Sequence, residues 1–170
     1  MKRAVVTFVF FLFVFSFGSA QTREERKHAK QERIQNHYES AKEVVTNGQF
    51  TFRSNWMNTN GGKRILMDPG SGYLTINDNN ANAYFPYFGV VRVATMYEGG
   101  GIEFNDEMSD YEVKFNDDRK IITIEFKVSA KKEKYEVFIQ LHKGLSGSVT
   151  VFSNKRDQIS YDGIISILEQ

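Results

Sequence analysis

Between Asp110 and Leu168 apolar residues recur at every second position. In Arg119–Ser129, Ile122, Ile124, Phe126 and Val128 share one side, and Thr123, Glu125 and Lys127 share the other. That period of two belongs to a strand with one dry face and one wet face; a helix would repeat every three to four residues. The pattern recurs at Tyr135, Val137, Ile139 and Leu141, set against Glu136 and Gln140. It appears earlier at Tyr111, Val113 and Phe115, and later at Val149, Val151, Ile159 and Tyr161. Polar turns separate the runs: Asn116-Asp117-Asp118, Lys131-Lys132-Glu133, Lys143–Gly147 and Asn154–Asp157. Such short links cannot hold a crossover helix, so successive strands must run antiparallel. The expectation is a meander of about five strands with one buried face.

The opening of the chain has a different character. Lys2 and Arg3 precede an apolar run, Ala4–Phe17, broken only by Thr7 and Ser16, and Gly18-Ser19-Ala20 follows. A positive start, an apolar middle and small residues at the exit make residues 1–20 a secretory signal peptide. As a helix the run would reach about 21 Å, against about 30 Å of bilayer hydrocarbon, so a retained anchor fits less well. The expected mature chain starts near Gln21, is exported to a periplasm or cell envelope, and does not span the membrane. Without Lys2 and Arg3 it carries 20 basic and 21 acidic side chains, a net charge of −1, which offers no electrostatic case for nucleic acid. Cysteine is absent, so disulfides, thiolate metal sites, cysteine nucleophiles and lipid anchors on cysteine are excluded.

Residues 21–48 read as a helix with a charged arm. Thr22 and Glu25 have capping-box spacing, and Asn47-Gly48 is a C-terminal stop. Gln21–Arg33 has no apolar stripe and is expected to stay solvated, whereas Ile34, Tyr38, Ala41 and Val45 fall on one face and should dock. Residues 49–170 are expected to be the β domain. Phe50–Met57 reads as its first strand, with Phe50, Phe52 and Trp56 on one face. Short strands follow at Lys63–Met67, Tyr73–Asn77 and Ala81–Phe85, then a strand-like Val90–Tyr97, and Asn105–Asp110 reads as an acidic loop. The fold class is mainly β: an antiparallel up-and-down barrel or curled sheet of roughly eight to ten strands with one N-terminal helix. A β-sandwich is the alternative.

Four short motifs stand in order: the charged helix behind a leader, Gly61-Gly62-Lys63-Arg64, Phe85-Pro86-Tyr87-Phe88-Gly89, and Gly99–Phe104. With a meander ending in Ile159–Gly163, they make the chain resemble the exported Bacteroidetes proteins grouped as domain-of-unknown-function family 4251. The resemblance covers most of the mature chain. It implies a Gram-negative envelope location, and it brings no established activity and no catalytic residues.

Residues with catalytic or ligand chemistry are sparse. His28 and His37 fall on opposite sides of a helix, and His142 closes a strand without a ligand pattern. No metal site, cofactor or catalytic residue is assigned. The carboxylates Glu103, Asp106, Glu107 and Asp110 supply hard oxygen ligands without calcium-loop spacing, and they read as solubilising surface. The densest aromatic cluster of the mature chain is Tyr84, Phe85, Tyr87, Phe88 and Tyr97. It is either a gripping surface at a barrel mouth or a packed corner bent by Pro86 and Gly89; burial of large aromatics favours the corner. Arg64, beside a glycine turn, could meet an anion or pair with a carboxylate. These six residues are the candidate ligand site. The preferred function is a non-catalytic envelope module binding a protein or polymer, with an envelope protein, glycan or lipid as partner. A carrier of small apolar ligands is the alternative, and a hydrolase built on the loop carboxylates is the third class.

Overall fold

The computed structural model describes residues 23–91, 100–130 and 133–168. The leader 1–20 and the capping residue Thr22 lie outside them. The chain divides into two compact units, residues 1–33 and 34–170. The described part of the first is the leading stretch of helix α1 (Arg23–Thr46), charged and almost wholly exposed.

In the second unit the rest of α1 buries Tyr38, Ala41, Val44 and Val45. Ile34, expected on that face, is only half-buried. The helix stops at Gly48, whose φ of 68° is left-handed and strains any residue with a Cβ. There the amides of Asn47 and Gly48 bond back to the carbonyls of Glu43 (3.0 Å) and Val45 (3.1 Å).

The strands are β1 (Gln49–Thr59), β2 (Arg64–Leu66), β3 (Tyr73–Asn77), β4 (Asn80–Pro86), β5 (Gly101–Glu107), β6 (Ser109–Asn116), β7 (Ile121–Ala130), β8 (Glu133–His142), β9 (Ser146–Ser153) and β10 (Ile159–Ile167). They form one sheet in the order β5-β4-β3-β1-β10-β9-β8-β7-β6, with β2 also on β1. Every pairing is antiparallel. β6 to β10 are the expected meander, with each strand beside its predecessor. The long-range join is β1 with β10, which puts the first strand between β3 and the last. The sheet curls until β5 lies against β7 and the ring of Phe104 comes 5.3 Å from that of Tyr135. This is a nearly closed antiparallel barrel rather than a two-sheet sandwich.

Residues 34–46 of α1 lie at the end of the barrel that carries the β3–β4, β6–β7 and β8–β9 turns. Tyr38 donates its hydroxyl to Asp117 (3.0 Å), His37 lies beside Gly144, and the Asp78 amide donates to the Gly48 carbonyl (3.0 Å). Inside, Phe85 stacks on Tyr161 at 4.3 Å and faces Phe52 at 6.3 Å. Phe50, Leu74, Ile76, Ile122 and Ile124 are fully buried around them. Removing that apolar surface from water is the main stabilising force, at about 25 cal/mol per Å2.

Several local expectations are corrected. Trp56 does not share a face with Phe50 and Phe52: a bulge between Ser54 and Trp56 adds one residue, so Met57 points inward and Trp56 outward. Residues 105–110 are not a loop. Strand pairing to β4 continues through Glu107, and buried Met108 alone separates β5 from β6. The apolar side of β6 is not fully buried; Tyr111 and Phe115 stay partly exposed because an edge strand lacks a neighbour on one side. Of the strand expected at Val90–Tyr97, Val91 makes a single bridge to Arg156, and residues 92–99 lie outside the described residues.

The outer side of the meander is charged. Lys127 pairs with Asp110 at 2.9 Å and Glu136 at 3.9 Å, and Lys114 pairs with Glu112 at 2.9 Å. A lipid-facing barrel wall would be apolar there. Among the described residues no helix is long and apolar enough to cross a membrane.

Candidate ligand-binding groove

The bulge in β1 has a consequence on the outer surface. It turns Trp56 out into a row that crosses five strands: Gln140, Ser148, Asp162, Trp56 and Leu66, from β8 to β2. The next row inward pairs Leu141, Gly147, Gly163 and Ser54. A Cβ on Gly163 would collide with the Arg53 carbonyl oxygen and the Phe52 ring, and one on Gly147 with the Gln140 carbonyl oxygen. Only glycine allows strands to approach so closely, and such pairs mark tight bends in curled sheets. The small outward residues Ser146 and Ser148 complete a depression of about 460 Å3.

One wall of this groove is preset. Arg64 on β2 places its guanidinium 4.6 Å over the Trp56 ring. Asp162 on β10 accepts a hydrogen bond from Arg64 Nη2 at 3.0 Å and another from Asn58 Nδ2 at 3.1 Å. The ion pair is partly exposed, so screening leaves it a small stabilising role. Its geometric role is larger, because it fixes a planar cation on an aromatic face. His142 and Ser146 form the opposite side, and Ile164 adds an apolar edge. Arg64 and Asp162, the lining residues of fixed opposite charge, cancel.

The other expected site residues do not gather here. Phe85 and Tyr87 are core residues. The Tyr87 hydroxyl lies 2.8 Å from the Val90 carbonyl and 3.1 Å from that of Asp157. Tyr84 is exposed on β4, and Phe88, 68% exposed, stands on the following corner. Tyr97 lies outside the described residues. Among the described candidates, Arg64 alone reaches the groove. From sequence Trp56 reads as an inward strand residue and His142 as a strand end without a ligand pattern, and Asp162 and the two serines have no role, although Gly147 and Gly163 beside strand-like runs are a usable sign.

Two residues assigned to solvated turns are buried instead. Glu133 is 2% and Arg156 7% exposed, and Arg156 Nε lies 3.0 Å from Glu133 Oε1. The Ser153 hydroxyl donates to the same carboxylate, and the guanidinium lies 5.4 Å from the Tyr87 ring centroid. A buried ion needs such partners, because unpaired it would cost several kcal/mol. Asp106 and Glu107 are exposed along β5, and Asp110 pairs with Lys127. Among the described residues no group of three or more acidic, histidine or cysteine side chains converges as a metal site would.

Fold and surface together define a small antiparallel barrel with a helix at one end and a polar, aromatic-walled groove on its outer face. Residues 32–165 match the family described as Domain of unknown function (DUF4251), and the chain belongs to that family. It is also similar to a crystal structure of a DUF4251 family protein from Bacteroides eggerthii. The TM-score is 0.63 at 17% identity, over 78% of this chain and 88% of the other. At that identity the likeness speaks for the fold. No curated protein matches the chain.

Proposed function

We propose that this protein is exported to the cell envelope, where its barrel serves as a non-catalytic binding module, and that the outer groove receives the partner. The observation that carries this reading is the wall of Trp56, Arg64 and Asp162, brought together from three strands beside a glycine-floored depression. A preset wall lowers the ordering cost of binding. The address rests on residues 1–20. The surface is favoured over the interior because a carrier needs room among its core side chains, and here Phe52, Phe85 and Tyr161 meet ring to ring.

Trp56 is the single tryptophan of the chain, so its fluorescence reports on the groove. Soluble envelope proteins, envelope polysaccharide and lipid vesicles, added separately, are expected to shift its emission in one case. Ser148→Tyr, which fills the depression, should abolish that shift. Binding that survives this substitution would place the contact elsewhere. Intact mass of the protein recovered from cell envelopes is expected to correspond to a chain starting near Gln21; a retained leader would count against export.

A further inference from the structure

We propose that the groove takes a neutral, hydroxyl-rich polymer, a glycan chain laid across β9 and β10 between Trp56 and His142; this rests on the binding reading above. Three observations narrow the ligand class. First, the groove sits in the middle of the sheet. β1, β9 and β10 each have strands paired on both sides, so only the three-residue outer edge of β2, at the rim, is left to accept a peptide as an added strand. Across β9 and β10, recognition must come from side chains on the face. Second, the fixed charges cancel. Arg64 is committed to Asp162 at 3.0 Å, so among the described lining residues no arginine or lysine stands unopposed for a phosphate or carboxylate and no carboxylate stands unopposed for a cation. Third, the depression is open to solvent rather than enclosed. A site for a small free ligand encloses most of that ligand, whereas an open surface depression can take one stretch of a longer chain.

What remains along the trough is a set of hydrogen-bonding groups suited to hydroxyls: Ser146, Ser148, His142 and the carboxylate of Asp162. Beside them stands an indole that presents apolar surface with one polar handle. Neutral polyols pair with such a mixture, since their hydroxyls both donate and accept and their C–H edges are apolar.

The test titrates the full mature chain with four probes while Trp56 emission is followed. They are neutral hexasaccharides of glucose, mannose, galactose and xylose; polygalacturonate; an unstructured peptide; and anionic phospholipid vesicles. The expected result is saturable binding of a neutral hexasaccharide, insensitive to added salt because no charge is neutralised. Ser148→Tyr should abolish it and Arg64→Ala weaken it about tenfold or more. Arg64 is exposed, so its variant reads binding even if the filled groove compromises folding. If polygalacturonate, peptide or vesicles bind in the groove and no neutral sugar does, the glycan inference falls and the binding reading stands. If no probe binds and soluble envelope proteins also leave Trp56 emission unchanged, both fall.

Discussion

The two ends of the barrel are closed in opposite ways. At one end residues 34–46 of α1 bury an apolar face, and the charges that pair there stay at the rim. Tyr38 is 1% exposed, and its hydroxyl reaches out to Asp117, which Lys42 also meets at 3.1 Å. At the opposite end of β7 the charges are inside: Glu133 and Arg156 are paired out of water beneath Tyr87. A rim charge can be lost to solvent at little cost, whereas a buried one cannot lose its partner cheaply. The first closure is therefore adjustable and the second is nearly all-or-none.

The largest expected effect tests that asymmetry. Glu133→Ala removes the buried carboxylate that faces Arg156 Nε and should destabilise by about 3 kcal/mol or more in urea unfolding. Replacing both ions with apolar residues, Glu133→Leu with Arg156→Met, should recover most of it, since the desolvation cost disappears with the charges. A single variant within about 1 kcal/mol of the parent would show that this end tolerates loss of the Glu133 carboxylate and would erase the contrast.

At the helix end, Tyr38→Phe removes one hydrogen bond and keeps the buried ring; about 1 kcal/mol should be lost. The same pair sets a pH signature. Burial, and then the hydrogen bond to Asp117, push the Tyr38 hydroxyl up to about 12. Its contribution is full below the unfolded value of 10.0 and is lost as pH rises through about 12, because the unfolded chain releases the proton first. Hydrogen bonds from Lys42 and then Tyr38 hold the Asp117 carboxyl below its ordinary value. That contribution is full above the ordinary value and declines as pH falls through the depressed one. Tyr161, also raised by burial, adds to the alkaline loss, so the comparison needed is parent against variant. Tyr38→Phe should flatten the alkaline limb of stability against pH, and Asp117→Asn the acid limb. Superimposable curves would detach this latch from the stability of the helix end.

The smallest effect belongs to a residue outside both closures. Phe88 was a candidate for gripping a ligand, and it stands 68% exposed on the corner after β4. Phe88→Ser should change stability by no more than about 0.5 kcal/mol. A larger loss would make that corner part of the buried end.

Much of the fold was legible because burial on one face of a strand leaves a mark at every second residue. Ile122–Val128 and Tyr135–Leu141 carry it cleanly, and their short turns settle antiparallel pairing. The helix face at Tyr38, Ala41 and Val45 was legible for the same reason, and Asn47-Gly48 marked its stop. The groove was not legible. Trp56 reads as inward by alternation, and only the extra residue of the bulge, set by pairing with β10, turns it outward. Glu133 and Arg156 read as turn residues because each alone is a charge next to a polar run. Their burial depends on a partner 23 positions away.

The sequence alone determined the local alternation, the turns between neighbouring strands, the helix and its stop, the absence of cysteine chemistry and an expectation of export. These are properties of adjacent residues, written in spacing and residue type. The tertiary structure decided that β1 lies beside β10, which side of β1 each residue faces beyond Ser54, and which charges are buried. Each depends on residues brought together across the chain by closure of the sheet, and no local pattern encodes the strand that a given edge will meet.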